Sequence, residues 1–283
     1  MKFYCIVEGY RDSVRLLEKA CEERKIDFIK IDPDRFNYLS LENKFEDGDL
    51  LYRILPTEKG RTLEKLIISQ KHFATFYNYT LGKPFQFSQA IEFMIIYQMS
   101  KLPIPKTIYV VPQEKNILKD YVDYLGGFPI ILKALGGSHG VGVMKIDSLS
   151  SLYSVADYLS SRSDHLVLRQ FINTTTSARL IVLGDKVVDS IEYFANKGDF
   201  RSGGSPNVRA KKFSAEICDL AIKAVKLSNL EFGGVDILMD QAKKLYVAEV
   251  NFPCYFPRCQ LLTKTDIAGM MLDYLLRKSK CLK

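Results

Sequence analysis

Four groups of residues in this chain could do chemistry. The first is Lys133, which ends the apolar stretch Pro129-Ile130-Ile131-Leu132 and precedes Ala134-Leu135-Gly136-Gly137-Ser138-His139-Gly140-Val141-Gly142. Glycines let backbone N–H groups approach a polyphosphate closely, and a lysine adds a point charge. The run lacks the Gly-Lys-Ser/Thr ending of a P-loop, and a glycine-rich hairpin without a ligand has the same composition. The second group is Asp236 in Gly233-Gly234-Val235-Asp236-Ile237-Leu238, with Glu249-Val250-Asn251 following. Strand alternation puts Glu249 and Asn251 on one face. If the strand of Asp236 lies beside them, three oxygen-bearing side chains converge, as a hard cation such as Mg²⁺ requires. The same acids could face solvent at strand ends, but their apolar neighbours Val235, Ile237, Ala248 and Val250 make unpaired burial costly.

The third group is Gly198-Asp199-Phe200-Arg201-Ser202-Gly203-Gly204, with Arg179 upstream. Arginine's fork suits phosphate or carboxylate, although an arginine in a turn is also an ordinary solvated group. The fourth is Arg169-Gln170-Phe171-Ile172, where a strand leaves the core into Asn173-Thr174-Thr175-Thr176 and can present backbone groups to a base edge. It reads equally as a strand end followed by a loop. Cys254 and Cys259 lie near the acids in sequence and read as buried or incidental thiols, since no histidine is near them.

Composition narrows the classes. The 283 residues are 47% hydrophobic and 26% charged, which suits a folded soluble chain of one large or two smaller domains. The formal net charge of +7 favours an anionic ligand such as a nucleotide, but no Lys/Arg block marks a nucleic-acid arm, and no nucleic-acid partner is expected. The longest nearly unbroken apolar run, Ile91 to Met99, falls short of the ~20 residues that span a bilayer, so no membrane partner is expected. The start reaches Glu8 too soon for a signal-peptide core. Six scattered cysteines without a Cys-x-x-Cys pair suggest reduced thiols and a cytoplasmic setting, and three separated histidines argue against a His-based metal site.

The elements that must position these groups follow from periodicity. Residues 2–8, 27–31 and 50–55 read as strands and residues 11–23 as an amphipathic helix, which together predict a small open α/β domain with a parallel sheet. It carries no G-x-G-x-x-G fingerprint. Residues 87–99 read as a helix with Ser88 as N-cap, stopped by Leu102-Pro103-Ile104-Pro105. Beyond it, helices are expected at 114–125, 148–161, 214–229 and 266–276, and strands at 129–133, 141–146, 166–171, 178–183, 186–193, 234–239 and 245–250. Antiparallel strands with helices over one face make this second part α+β.

Taken in order, Pro129-Ile130-Ile131-Leu132-Lys133 with its glycine run, Gly198-Asp199-Phe200-Arg201-Ser202, Gly234-Val235-Asp236-Ile237-Leu238, Glu249-Val250-Asn251 and Thr265-Asp266-Ile267-Ala268-Gly269 resemble the ATP-grasp superfamily, specifically its RimK-like carboxylate–amine ligases, over roughly residues 88–277. The resemblance implies an ATP-grasp fold behind an N-terminal pre-ATP-grasp domain. The domains would be 1–86 and 87–283, the latter with a lid-type part at about 107–172 and a metal-binding lobe at about 173–283. It implies that Lys133 holds the α- and β-phosphates of ATP under a loop carrying Gly136, Gly137, Ser138, Gly140 and Gly142. Gln170, Phe171 and Ile172 would line the adenine. Asp236, Glu249 and Asn251 would hold two Mg²⁺ ions, for which Mn²⁺ can substitute. Arg201 and Arg179 would face the γ-phosphate and an acyl phosphate. The implied acceptor is an amino acid, a peptide or a protein, and the implied assembly a homo-oligomer, dimer or tetramer.

The chain departs from that pattern at three places. Ala90 stands where the family carries a first nucleotide lysine, so either Ala90→Lys should tighten nucleotide binding or a nearby cation such as Lys101 already substitutes. The hinge acid of relatives is Gln170, and the ribose-side acid is lost within Asn173 to Ala178. The loop after Asn251 reads Phe252-Pro253-Cys254-Tyr255-Phe256-Pro257-Arg258 rather than Ser/Pro/Gly-rich, which suggests an acceptor unlike a glutamate-tailed ribosomal protein. The implied activity is an ATP-dependent carboxylate–amine ligase. The alternatives are a regulatory nucleotide-binding module and a kinase of the same fold.

Overall fold

The computed structural model describes residues 1–9, 11–40, 44–78, 90–112, 114–134, 140–161, 165–174, 176–195, 198–201 and 207–282. The chain opens with β1 (Lys2–Ile6), α1 (Asp12–Glu23), β2 (Asp27–Ile31), β3 (Leu50–Arg53) and α2 (Glu58–Gln70). The three strands form a parallel sheet in the order β2-β1-β3. After Lys2, its central strand is buried at every residue from Phe3 to Ile6, because helices cover both faces. Phe3 and Cys5 join Val14, Leu17 and Cys21 of α1. Tyr4 and Ile6 meet Leu63 and Ile67 of α2. Helix α2 was not expected from the sequence. Leu63 and Ile67 are its only fully apolar buried side chains, so its periodic signal is faint, and the Thr57 side chain caps it by accepting from Gly60 N–H at 3.4 Å.

The second part begins with α3 (Ala90–Met99), β4 (Thr107–Ile108), α4 (Lys115–Leu125), β5 (Ile130–Ala134), β6 (Val143–Ile146), α5 (Leu149–Ser161) and β7 (Leu166–Gln170). The strands pair antiparallel in the order β4-β7-β5-β6. Ile130, Leu132, Leu166 and Leu168 pack on Leu118, Val122 and Leu125 of α4 and on Leu152 and Ala156 of α5. By alternation, the opposite face carries Ile131, Lys133 and Arg169.

A second antiparallel sheet follows: β8 (Thr176–Leu183), β9 (Lys186–Phe194), β10 (Val208–Ala210), β11 (Phe232–Met239) and β12 (Leu245–Asn251), in the order β10-β9-β8-β11-β12. Leu180, Val182, Val235, Ile237 and Val247 face α6 (Ala215–Leu227) and Tyr97 of α3. Ile181, Ile191, Tyr193 and Phe232 face the other way, into a core shared with the N-terminal sheet. The chain closes with α7 (Pro257–Thr263) and α8 (Ile267–Lys280). Met271, Leu272 and Leu275 of α8 enter the same core as α1, and Arg24 grips Asp273 through bonds of 2.7 and 3.0 Å. The α/β and α+β expectations agree with this architecture. The segment after Asn251, read as a loop throughout, becomes helical at Pro257, which sits at the first helical turn where a missing N–H costs nothing.

Helix α8 starts at Asp266, whose side chain accepts from Gly269 N–H at 3.0 Å. Asp266→Ala is expected to lower unfolding free energy by about 1 kcal/mol in urea titration, the usual worth of an N-cap. An unchanged midpoint would mean that the interhelical Arg24–Asp273 pair holds this end of the helix without the cap.

Candidate functional site

The two sheets of the second part approach each other over β12. Asp236 and Glu249 are register partners on β11 and β12, and Arg179 on β8 is the register partner of Asp236. Partners in an antiparallel ladder share a face, so the sheet delivers two acids and an arginine to one spot. A register shift follows Asp236, and a bulge of this kind re-aims side chains locally. Asn251, two residues past Glu249, donates from Nδ2 to Asp236 Oδ2 at 3.2 Å and to Glu249 Oε1 at 3.3 Å. The expected convergence of Asp236, Glu249 and Asn251 is therefore present.

Lys133 reaches this group from the other sheet. Its Nζ stands 3.3 Å from Glu249 Oε2. Arg169 crosses the same gap, donating from Nη1 to Ala248 O at 3.1 Å. Burial raises the Asp236 carboxyl above its usual value, against the pull of Arg179. Burial also opposes ionisation of Glu249, but Lys133 and Arg179 beside it hold its carboxyl below the usual value. Three cations face two carboxylates here, so the described cluster carries an excess of positive charge suited to an anion.

Arg179 holds Asp236 through two parallel bonds, Nε to Oδ1 at 2.5 Å and Nη2 to Oδ2 at 2.7 Å. This bidentate fork is the strong form of a charge-assisted pair. Gly234 sits against it, and a Cβ there would stand 2.6 Å from Cys254 Sγ, so the backbone can approach only because the residue is glycine. Cys254 and Cys259 are buried, and burial pushes the Cys254 thiol up to about 12, which leaves it inert as a nucleophile.

Arg201 belongs to a separate cluster at the glycine run. Asp199 accepts from its backbone N–H and its guanidinium, and Arg201 Nη1 donates to Gly140 O at 3.2 Å. The run closes back on itself: Ala134 N–H donates to Gly142 O at 2.9 Å, and Gly142, at φ +81°, leaves no room for a Cβ, which would lie 2.8 Å from Ala134 O. Gly136, Gly137 and Ser138 lie outside the described residues. Phe171 touches Phe200 edge-on at 6.3 Å, and Lys145 Nζ stands 5.3 Å from the Phe171 ring centre. Gln170 is the register partner of Ile130 on the helix-covered face, and its side-chain oxygen accepts from Lys106 N–H at 3.4 Å. Ile172 is buried. Ser88 also lies outside the described residues, and Lys101 is exposed just past the end of α3.

Two features were not singled out from the sequence. One is the Arg169 side chain, since the segment was read only for its backbone; the available signal was a charged residue at an inward position of Leu166-Val167-Leu168-Arg169. The other is Asp199 as the partner of Arg201, two residues before it, a spacing that fits an Asx turn. Among the described residues, no group of three or more His, Cys, Asp or Glu could hold a metal. Asp236, Glu249 and Asn251 supply two carboxylates and one amide instead. The Asn251 amide donates to both acids, and a half-turn about its last torsion exchanges its nitrogen for its oxygen. The donor set thus fits a hard divalent cation. A cavity of about 450 Å³ lined by Pro103, Asp219, Lys223 and Leu245 includes none of these residues.

Solved structures that carry the ATP-grasp name share the fold of this chain. The ATP-grasp ligase PsnB in complex with a precursor variant, Mg and ADP matches with a TM-score of 0.71 at 17% identity, covering 98% of each chain. The D-cycloserine synthetase DcsG matches with a TM-score of 0.76 at 11% identity, covering 99% of this chain and 100% of the other. Residues 92–275 match the RimK-like ATP-grasp domain, and the chain belongs to that family. A probable alpha-L-glutamate ligase of Legionella pneumophila (strain Corby) is 27% identical over 216 residues, 74% of this chain and 71% of the relative. The ribosomal protein bS6–L-glutamate ligase of Escherichia coli O1:K1 / APEC is 33% identical over 173 residues, 58% of this chain and 57% of the relative.

Proposed function

We propose that the protein is an ATP- and Mg²⁺-dependent ligase that joins a carboxylate to an amine, with an amino acid, peptide or protein on the acceptor side. The observation that carries this reading is the approach of Lys133 on one sheet to Glu249 on the other, at 3.3 Å, beside Asp236 and Asn251. A lysine and a pair of acids that meet across two sheets can hold the two ends of a metal–polyphosphate group.

Lys133 binds phosphate oxygens, and Phe171 and Ile172 line the base. Asp236, Glu249 and Asn251 are the residues that hold Mg²⁺, as two ions, with Mn²⁺ as a substitute. When bound, the metal neutralises charge on the phosphate oxygens. Arg201 reaches the transferring phosphoryl group once it leaves Asp199, and Arg179 keeps Asp236 ionised and aimed. The substrate carboxylate attacks the γ-phosphorus, ADP leaves, and the amine then displaces phosphate from the acyl phosphate to give an amide. Positive groups fixed in place before the reaction stabilise the charge that develops on the phosphoryl and carbonyl oxygens.

The proposal includes the division at 86/87, a cytoplasmic setting and a homo-oligomer. No described helix is long and apolar enough to cross a membrane. The cysteines are free and four of the six are buried, which suits a reducing compartment.

The test is incubation with ATP, Mg²⁺ and a panel of amino acids and peptides, with hydroxylamine as a trap. ADP release together with a hydroxamate supports the ligase. ADP release and a phosphorylated alcohol support a kinase, and ATP binding without turnover supports a non-catalytic module. Lys133→Ala is expected to weaken ATP binding by about tenfold or more, the worth of one charge-assisted contact, with a far-ultraviolet spectrum like that of the parent. Unchanged affinity would remove Lys133 from the phosphate site.

A further inference from the structure

Arg169 is 9% exposed, yet its Nε and Nη2 have no hydrogen-bond partner among the described residues. Among the described residues, its one hydrogen bond is from Nη1 to the neutral Ala248 carbonyl. A guanidinium carries five N–H donors and no acceptor. Leaving buried donors unpaired is among the costlier things a core can do, and an apolar side chain of the same volume would carry no such penalty. The position is not forced by the fold. Leu166 and Leu168 face α4 and α5, while Arg169 stands in register with Ile131, on the face turned toward β12. Burial disfavours its charge, and Glu249 is the carboxylate that offsets part of this among the described residues.

What matches two stranded donors on a permanent cation is an anionic oxygen. Lys133 and Arg169 hang from the neighbouring strands β5 and β7, and they touch consecutive residues of β12, Glu249 and Ala248. They therefore form a two-cation cradle over one stretch of chain. Arg169 also precedes residues 170–172, so it lies at the base end of the proposed nucleotide site and Lys133 lies further along. Resting on that site, we propose that Arg169 binds the α-phosphate of the nucleotide and supplies the cation that alanine at position 90 cannot. The Nη1 bond to the Ala248 carbonyl holds the guanidinium in place, and Nε and Nη2 are the adjacent pair of donors it offers to the phosphate oxygens.

Calorimetric titration in EDTA, with adenosine, AMP and ADP as probes, tests this without involving the metal acids. Arg169→Met is expected to weaken AMP and ADP by ~10- to 100-fold while adenosine stays within about threefold. Arg169→Lys is expected to recover part of the loss. The melting temperature of unliganded Arg169→Met is expected to equal or exceed that of the parent, because no buried donor is left over. Should the methionine variant fail to fold, Arg169→Gln provides the same comparison with a neutral side chain of similar reach. AMP binding unchanged in these variants overturns the proposal, and so does an equal loss for adenosine, which would place Arg169 on the base. If ADP does not bind the parent protein, the nucleotide site itself falls and this proposal with it. If ADP binds the parent and is weakened by Lys133→Ala but not by Arg169→Met, only the role of Arg169 falls.

Discussion

Glu249→Gln is expected to lower turnover by ~10²–10³, the usual loss when a fixed electrostatic contact at the reacting centre is removed. The substitution keeps the shape of the side chain and its hydrogen bond from Asn251 Nδ2, and it removes the charge that faces Lys133. Stability without ligand is expected to change little. The Lys133–Glu249 side chains are 22% and 38% exposed, and ion pairs this accessible contribute about 0–1 kcal/mol. The diagnostic measurement is the thermal upshift on adding Mg²⁺ and ADP, which should be present in the parent and lost in the variant. A variant that turns over normally would show that Glu249 serves packing and that phosphoryl transfer is organised elsewhere.

Arg53→Met is expected to cost about 3–5 kcal/mol of folding free energy, the penalty for stripping the partner from a buried charge. Arg53 Nε and Glu64 Oε2 are 2.7 Å apart, and the two side chains are 4% and 3% exposed. Tyr77 donates to the same carboxylate oxygen at 2.8 Å and would be its remaining side-chain partner among the described residues. The double variant Arg53→Met/Glu64→Leu should regain most of the loss, since apolar replacement of a whole buried pair is often neutral. Urea unfolding of the single and double variants reads both results. A single variant as stable as the parent would mean that water reaches Glu64.

This network bears on the site as well. Phe252, directly after Asn251, lies 5.2 Å from the Tyr77 ring and 5.8 Å from the Arg53 guanidinium. Tyr52, next to Arg53, accepts from Cys254 N–H at 3.1 Å. The end of β3 thus anchors the chain just beyond the acids. Loss of the Arg53–Glu64 pair should loosen Asn251 and raise the KM for nucleotide in whatever fraction of the variant stays folded.

Much of this arrangement is legible in the sequence because it is local. Alternation in Glu249-Val250-Asn251 puts the acid and the amide on one face whatever lies beside them. The apolar run before Lys133 predicts a buried strand with the lysine at its end, and the glycines after it predict a backbone that can take positive φ, as Gly140 and Gly142 do. Helix α6 is plain from Ala221, Ala224 and Val225 at helical spacing, all buried against β11 and its neighbours. The reach of α8 to α1 was not legible. Its amphipathic stripe announces a helix, but no pattern within the stripe says which distant face it will cover.

The sequence by itself determined the longer strands, their inward faces, and which residue types could bind phosphate and metal, because side-chain direction follows from backbone period; the short strands β4 and β10 carry too few residues to show a period. Only the tertiary structure decided the partners. Arg179 and Asp236 are 57 residues apart, and their fork exists because β8 and β11 pair in one register among several that local pattern allows. The sequence shows Arg169 as one charge in an apolar strand. Packing of two sheets leaves that charge buried beside Glu249 with two donors unpaired among the described residues, because a contact between sheets depends on how faces meet in space, and spacing along the chain does not encode that.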